Sequence, residues 1–81
     1  MKNKMEEPKA EERYRHFKGG EYEIVTTARD CDNLDKFLVI YKSLYDSETF
    51  PRGTIWSRSL EDFVGLKELN GEKIKRFTRI Q

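Results

Sequence analysis

The side chains equipped for chemistry are few and scattered. There is one histidine, His16, one cysteine, Cys31, a run of aspartates at Asp30, Asp32 and Asp35, and a set of aromatic and arginine residues at Arg29, Tyr41, Trp56 and Arg58, with Glu61 close behind. Cys31 sits between two aspartates that disfavour the thiolate a nucleophile needs, so no catalytic cysteine is expected. A metal site would have to join His16 to Cys31 and distant carboxylates, and none is expected. The three aspartates have calcium-binding residue types but lack the glycine turn and closing glutamate of a calcium loop, and read as a solvated turn. No nucleophile, base and oxyanion-donor set can be assembled, and the chain is expected to be a non-enzyme without a cofactor.

The set Arg29, Tyr41, Trp56, Arg58 and Glu61 is the expected ligand-binding site. An arginine stacked on a tryptophan or tyrosine is a structural device worth about 0.5–2 kcal/mol. The same pair also grips a base, a phosphate or a carboxylate, and Trp, Tyr and Arg dominate interface hot spots. Lys73, Lys75, Arg76 and Arg79 add a local basic stripe, which reads first as a charged edge that blocks strand addition.

The elements that must position these residues are short. Residues 1–12 are rich in lysine and glutamate, and are expected to form a disordered tail ahead of a single β domain over 13–81. Tyr14 to Phe17 reads as a first strand whose aromatics pack, followed by a Lys18-Gly19-Gly20 turn. From Glu21 the residues alternate with a period of two, the signature of a half-buried strand. A hairpin loop over Cys31 to Asp35 leads into a strand from Lys36 to Tyr45 that is apolar on both parities. If the even positions fill the interior, Arg29 and Tyr41 share the outer face, with Trp56 and Arg58 alongside. Thr54 to Arg58 reads as a short strand, and Ser59 as the cap of one helical turn with Leu60 and Phe63 on its inner side. Asn70-Gly71 is a strong turn signal before a last strand from Glu72 to Ile80. There Ile74 and Ile80 share a parity that Phe77 does not, so a bulge near Lys75 or Arg76 is expected. Five strands this short are expected to close into a small barrel.

Charged residues make up 38% of the 81, yet the net charge is +1, so no global field attracts nucleic acid or anionic lipid. One cysteine cannot form an internal disulfide, and no apolar run is long enough for a signal peptide or a membrane span. A cytoplasmic protein that does not engage membranes is expected.

YRHFKGGEYE at 14–23, Ala28-Arg29, VIYKSLY at 39–45, Trp56 with Arg58 through Phe63, and Gly71 with Arg76-Phe77 together resemble a bacterial family of small domains of unknown function, numbered 1653. The resemblance spans nearly everything beyond residue 12 and implies an SH3-like barrel, with no activity to transfer. That family often has a histidine-serine pair where this chain has Asp30-Cys31, and a proline where it has Ser59. Leu44-Tyr45-Asp46 has the residue types of the SH3 peptide-binding motif but follows a different strand, and reads as coincidence. The expected function is a binding module that recognises a protein or peptide through the aromatic and arginine face. The alternative is a small barrel that binds nucleic acid through Tyr41, Trp56 and the basic stripe.

Overall fold

The computed structural model describes residues 7–80. Seven strands and one helical turn follow in order: β1 (Arg13–His16), β2 (Glu21–Asp30), β3 (Asn33–Ser43), β4 (Ile55–Ser59), α1 (Leu60–Phe63), β5 (Leu66–Leu69), β6 (Glu72–Lys75) and β7 (Phe77–Ile80). β4, β3, β2, β1 and β7, in that spatial order, make a five-stranded antiparallel sheet, while β5 and β6 pair separately. The protein is mainly β. The expected last strand is divided between the two sheets at Arg76, so the break lies where a bulge was expected, and seven strands form instead of five. The backbone of Arg76 bonds on both sides, its N–H to the carbonyl of Gly65 and its own carbonyl accepting from Phe17 N–H. This tie swings the chain from one sheet to the other.

Local chemistry accounts for the remaining boundaries. Asn70 (φ 53°) and Gly71 (φ 84°) both take the left-handed conformation that a two-residue hairpin demands, and β5 and β6 are joined there. Ser59 caps α1, its hydroxyl accepting from Asp62 N–H at 3.2 Å, and Phe63 on the inner side of that turn is buried. The loop expected over Cys31 to Asp35 is tighter than that, since β3 already begins at Asn33. Asp30 Oδ1 accepts from Asp32 N–H and Asn33 Oδ1 from Asp35 N–H, at 2.8 and 3.2 Å, which are the Asx turns these residue types favour.

Of the segment expected as a disordered tail, residues 1–6 lie outside the described residues, and residues 8–12 are fastened to the domain. Pro8 is buried. Glu11 N–H donates to the Ile24 carbonyl, and Ile24 N–H donates back to Glu12, prolonging the β1–β2 ladder. Glu12 also accepts from the Lys9 N–H and the Tyr14 hydroxyl and pairs with Arg79 at 3.5 Å.

One irregularity decides which way side chains face. In the β2–β3 ladder Ile24 lies opposite Tyr41 and Thr26 opposite Ile40, so Val25 is an extra residue, a bulge that shifts the inward parity of β2 from even to odd. β3 has no such insertion, and its odd residues Val39, Tyr41 and Ser43 are the buried ones. The expectation that even positions fill the interior therefore holds for Tyr22 and Ile24 and fails in β3. The core is Ile24, Val39, Tyr41, Phe63 and Phe77, with Tyr14, Tyr22, Trp56, Leu60 and Val64 packed against it. Phe63 and Phe77 stack in parallel, with ring centres 4.0 Å apart and 7° between planes, and Tyr14 and Tyr41 meet the Phe63 ring edge-on. Truncating Phe63 to alanine should lower the unfolding free energy by about 3–5 kcal/mol, measured by urea denaturation, because a large ring leaves a cavity at the centre of so small a core.

Candidate functional site

The core-facing side of the main sheet is also the place where several of the chemically equipped side chains meet. Trp56 lies opposite Tyr41, and Arg58 opposite Val39, so β4 turns both toward the interior. Tyr41 is 5% exposed, and the expectation that it presents an outer surface is corrected by the β2 bulge. Arg29, opposite Phe37, is turned to the same face one row beyond Arg58 and Val39. Its guanidinium lies 4.5 Å from the Phe37 ring centre and donates to the Leu34 carbonyl at 2.7 Å, both local structural contacts. The Trp56 indole N–H is buried with no acceptor among the described residues, and the Phe50 ring stands edge-on against it at 4.9 Å. Glu61 lines a separate cleft of about 600 Å³ with Asp35, Phe37 and Asp62. The five expected site residues therefore divide: Tyr41, Trp56 and Arg58 adjoin, whereas Arg29 and Glu61 belong to neighbouring features.

Arg58 is the centre of the arrangement. It is half-buried, donates from Nε to the Tyr41 hydroxyl at 3.3 Å and lies over the Phe77 ring, with its guanidinium carbon 5.7 Å from the ring centre. Both Nη groups are without a hydrogen bond or a carboxylate partner among the described residues. The edge of the same Phe77 ring receives His16, at 4.9 Å between ring centres. The His16 Nδ1 accepts from Lys18 N–H at 3.1 Å, so the neutral imidazole carries its proton on Nε2 and offers it as a donor. Nearby, the hydroxyls of Tyr22 and Tyr45 lie 2.7 Å apart, and Tyr45 covers Gly20 so closely that a Cβ there would meet its ring at 2.7 Å. Lys18, Gly20 and Tyr45 line an open cleft of about 480 Å³.

Electrostatically this corner is cationic. Burial, and then the charges of Arg58, Lys18 and Arg76, hold the His16 pKa below its ordinary value. Burial and then the hydrogen bond with Tyr45 push the Tyr22 phenol well above its own. Arg76 donates from Nε to the Asp62 carbonyl at 3.0 Å. By contrast Arg13, Arg15 and Arg79 are each paired with a glutamate, at 3.4, 2.9 and 3.5 Å. Sequence reasoning gave His16 a packing role and left Lys18, Tyr22 and Phe77 out of the site. The signal that unites them is the pairing of β1 with β7, which sets His16 opposite Phe77 across most of the chain's length.

The expected basic stripe is not continuous. Lys73 and Lys75 belong to β6, while Arg79 lies in the other sheet, paired with Glu12. Asp30, Cys31 and Asp32 bring their ligand atoms within 4.8 Å of one another in the exposed β2–β3 turn. No helix among the described residues is long and apolar enough to cross a membrane.

Fold and site together define a small, mainly β domain with an aromatic wall and an unneutralised arginine. The profile of the family described as protein of unknown function (DUF1653) matches residues 12–79, and the chain belongs to that family. No curated protein and no solved structure matches it.

Because His16 binds its proton less tightly folded than unfolded, the unfolded chain takes up more protons as pH falls, and stability should drop on acidification through the imidazole range. The contribution is fully present above the ordinary histidine value of 6.5 and is lost as pH falls through the lower folded value. Urea denaturation of the wild type and His16→Gln between pH 8 and pH 5 should show a steeper loss in the wild type.

Proposed function

We propose that this protein is a non-enzymatic binding module that recognises a protein or peptide through the face around Tyr41, Trp56 and Arg58. The observation that carries this reading is Arg58. Its guanidinium is half-buried on an aromatic floor, spends one N–H on Tyr41, and keeps its two Nη groups for a partner from outside. A desolvated, pre-oriented arginine beside tyrosine and tryptophan has the make-up of an interface hot spot. Arg29 and Glu61, on the same side of the domain, suit the rim of such a contact.

The main sheet and the β5–β6 hairpin form the two layers of a partly open SH3-like roll. The passage of one strand direction from β6 to β7 through Arg76 supports this, because sandwich corners are turned by strands that change sheets at a bend. A cytoplasmic location accords with the single, exposed and unpaired Cys31. Nucleic-acid binding remains the second reading. It draws on Trp56 and the unpaired cations, while the division of the basic stripe between two sheets and the near-zero net charge weigh against it.

Titration of the labelled protein with a peptide library should move the NMR signals of Trp56 and Arg58. Pull-downs with wild type should retain a partner that the Trp56→Ala, Arg58→Ala double variant loses. Shifts confined to residues before Arg13 would end the proposal, and salt-sensitive binding of mixed single-stranded oligonucleotides in place of peptides would transfer it to nucleic acid.

A further inference from the structure

We propose that His16, Lys18, Arg58 and Tyr22 form a binding site for a phosphomonoester dianion, either free or carried on a peptide. The inference deepens the module reading and rests on it only for the choice of face. Its starting point is a group of cations, unpaired like Arg29 and Arg52, that gather around one histidine. Three arginines each have a glutamate within 4 Å, whereas Lys18, Arg58 and Arg76 have no carboxylate that close among the described residues. Those three are also the cations whose charges reach His16. The carboxylate that lines the adjoining cleft, Glu21, is taken by Arg15 at 2.9 Å.

The donors have the geometry an oxyanion needs. Arg58 and His16 approach one ring, Phe77, the first over it and the second in a T-shaped contact, although they come from β4 and β1, which are not neighbours in the sheet. The Tyr41 hydroxyl holds the arginine through Nε, which leaves the two Nη groups without a bond among the described residues, a fork suited to two oxygens of one anion. Lys18 N–H fixes the imidazole so that Nε2 carries the proton. Lys18, whose ammonium lies 5.8 Å from the Phe17 ring centre, lines the open cleft with Tyr45, and the bonded Tyr22 and Tyr45 hydroxyls keep one O–H between them to donate. A carboxylate would offset one of the two permanent charges in the site, those of Lys18 and Arg58. A phosphomonoester carries about −1.5 to −2 at neutral pH on three acceptor oxygens, so its charge is close to the sum of those two cations.

The test follows the His16 ring protons by NMR from pH 5 to pH 8 at fixed ionic strength, in chloride, inorganic phosphate, acetate, a phosphoserine peptide and a phosphodiester dinucleotide. Phosphate and the phosphopeptide should each raise the apparent His16 pKa by about half a unit, because a bound anion favours the imidazolium. A larger rise with the peptide at equal concentration assigns the phosphoryl group to a peptide; an equal rise assigns the site to free phosphate. Lys18→Ala, which removes an exposed side chain outside the core, should weaken phosphate binding roughly tenfold, within the range of a lost charge-assisted contact. Identical titrations in phosphate and chloride would overturn the proposal, as would acetate or the dinucleotide matching phosphate. Peptide-induced shifts at Trp56 with an unmoved His16 overturn the anion site and leave the module reading intact. A phosphate-dependent His16 with no peptide binding does the reverse.

Discussion

The parallel stack of Phe63 on Phe77 is the contact on which the rest of the structure depends. A domain of this size buries too little surface to tolerate a loose core, and each aromatic pair adds about 0.5–1.5 kcal/mol beyond the area it removes from water. Phe63 comes from the one helical turn and Phe77 from the first residue of β7, so their stacking fixes α1 over the sheet and sets where the last strand must cross from hairpin to sheet. The break at Arg76 follows. A continuous strand from Glu72 to Ile80 would keep its alternation and turn Phe77 away from the side that Ile74 faces. Dividing it lets each half serve its own sheet.

The same stack explains why the site lies on the inside face. Tyr14, Tyr22, Tyr41 and His16 all present edges to Phe63 or Phe77, and the polar ends of these rings project from the cluster toward its margin. An aromatic core of this kind is ringed by hydroxyl and imidazole groups, as an aliphatic core would not be. Arg58 completes the ring by lying across it, its hydrocarbon stem among the aromatics and its charge at the edge.

Much of this architecture was legible in the residues. The strands around the two long alternating runs, the Ser59 cap with Phe63 on its inner side, the Asn70-Gly71 turn and the packing of Tyr14 and His16 all follow from local pattern. The inward parity of β3 was not legible, because it depends on one extra residue, Val25, in the partner strand, and a bulge among β-branched residues leaves no mark in the alternation. The docking of residues 8–12 was hidden for a similar reason. Charged composition signals disorder, but two backbone hydrogen bonds to Ile24 and the pairing of Glu12 with Arg79 hold the segment regardless of its polarity. Of the site, Tyr41, Trp56 and Arg58 could be nominated by residue type alone, although on the wrong face. His16, Lys18 and Phe77 could not be attached to them without knowing that β1 pairs with β7.

Net charge is silent about local clustering for a physical reason. A sum over the chain says nothing about pairing, and here the acidic side chains are spent unevenly. Glu12, Glu21 and Glu23 neutralise arginines along β1 and β7, and Asp35, Glu61 and Asp62 line their own cleft. What is left is a corner in which cations lie near one another and near a half-buried histidine. Mutual repulsion there is tolerated because the aromatic stack holds the side chains in place. Burial, and then this charge of one sign, lowers the affinity of His16 for a proton, an effect that the sum over the chain does not report. A composition close to neutrality can therefore coexist with a local field of one sign.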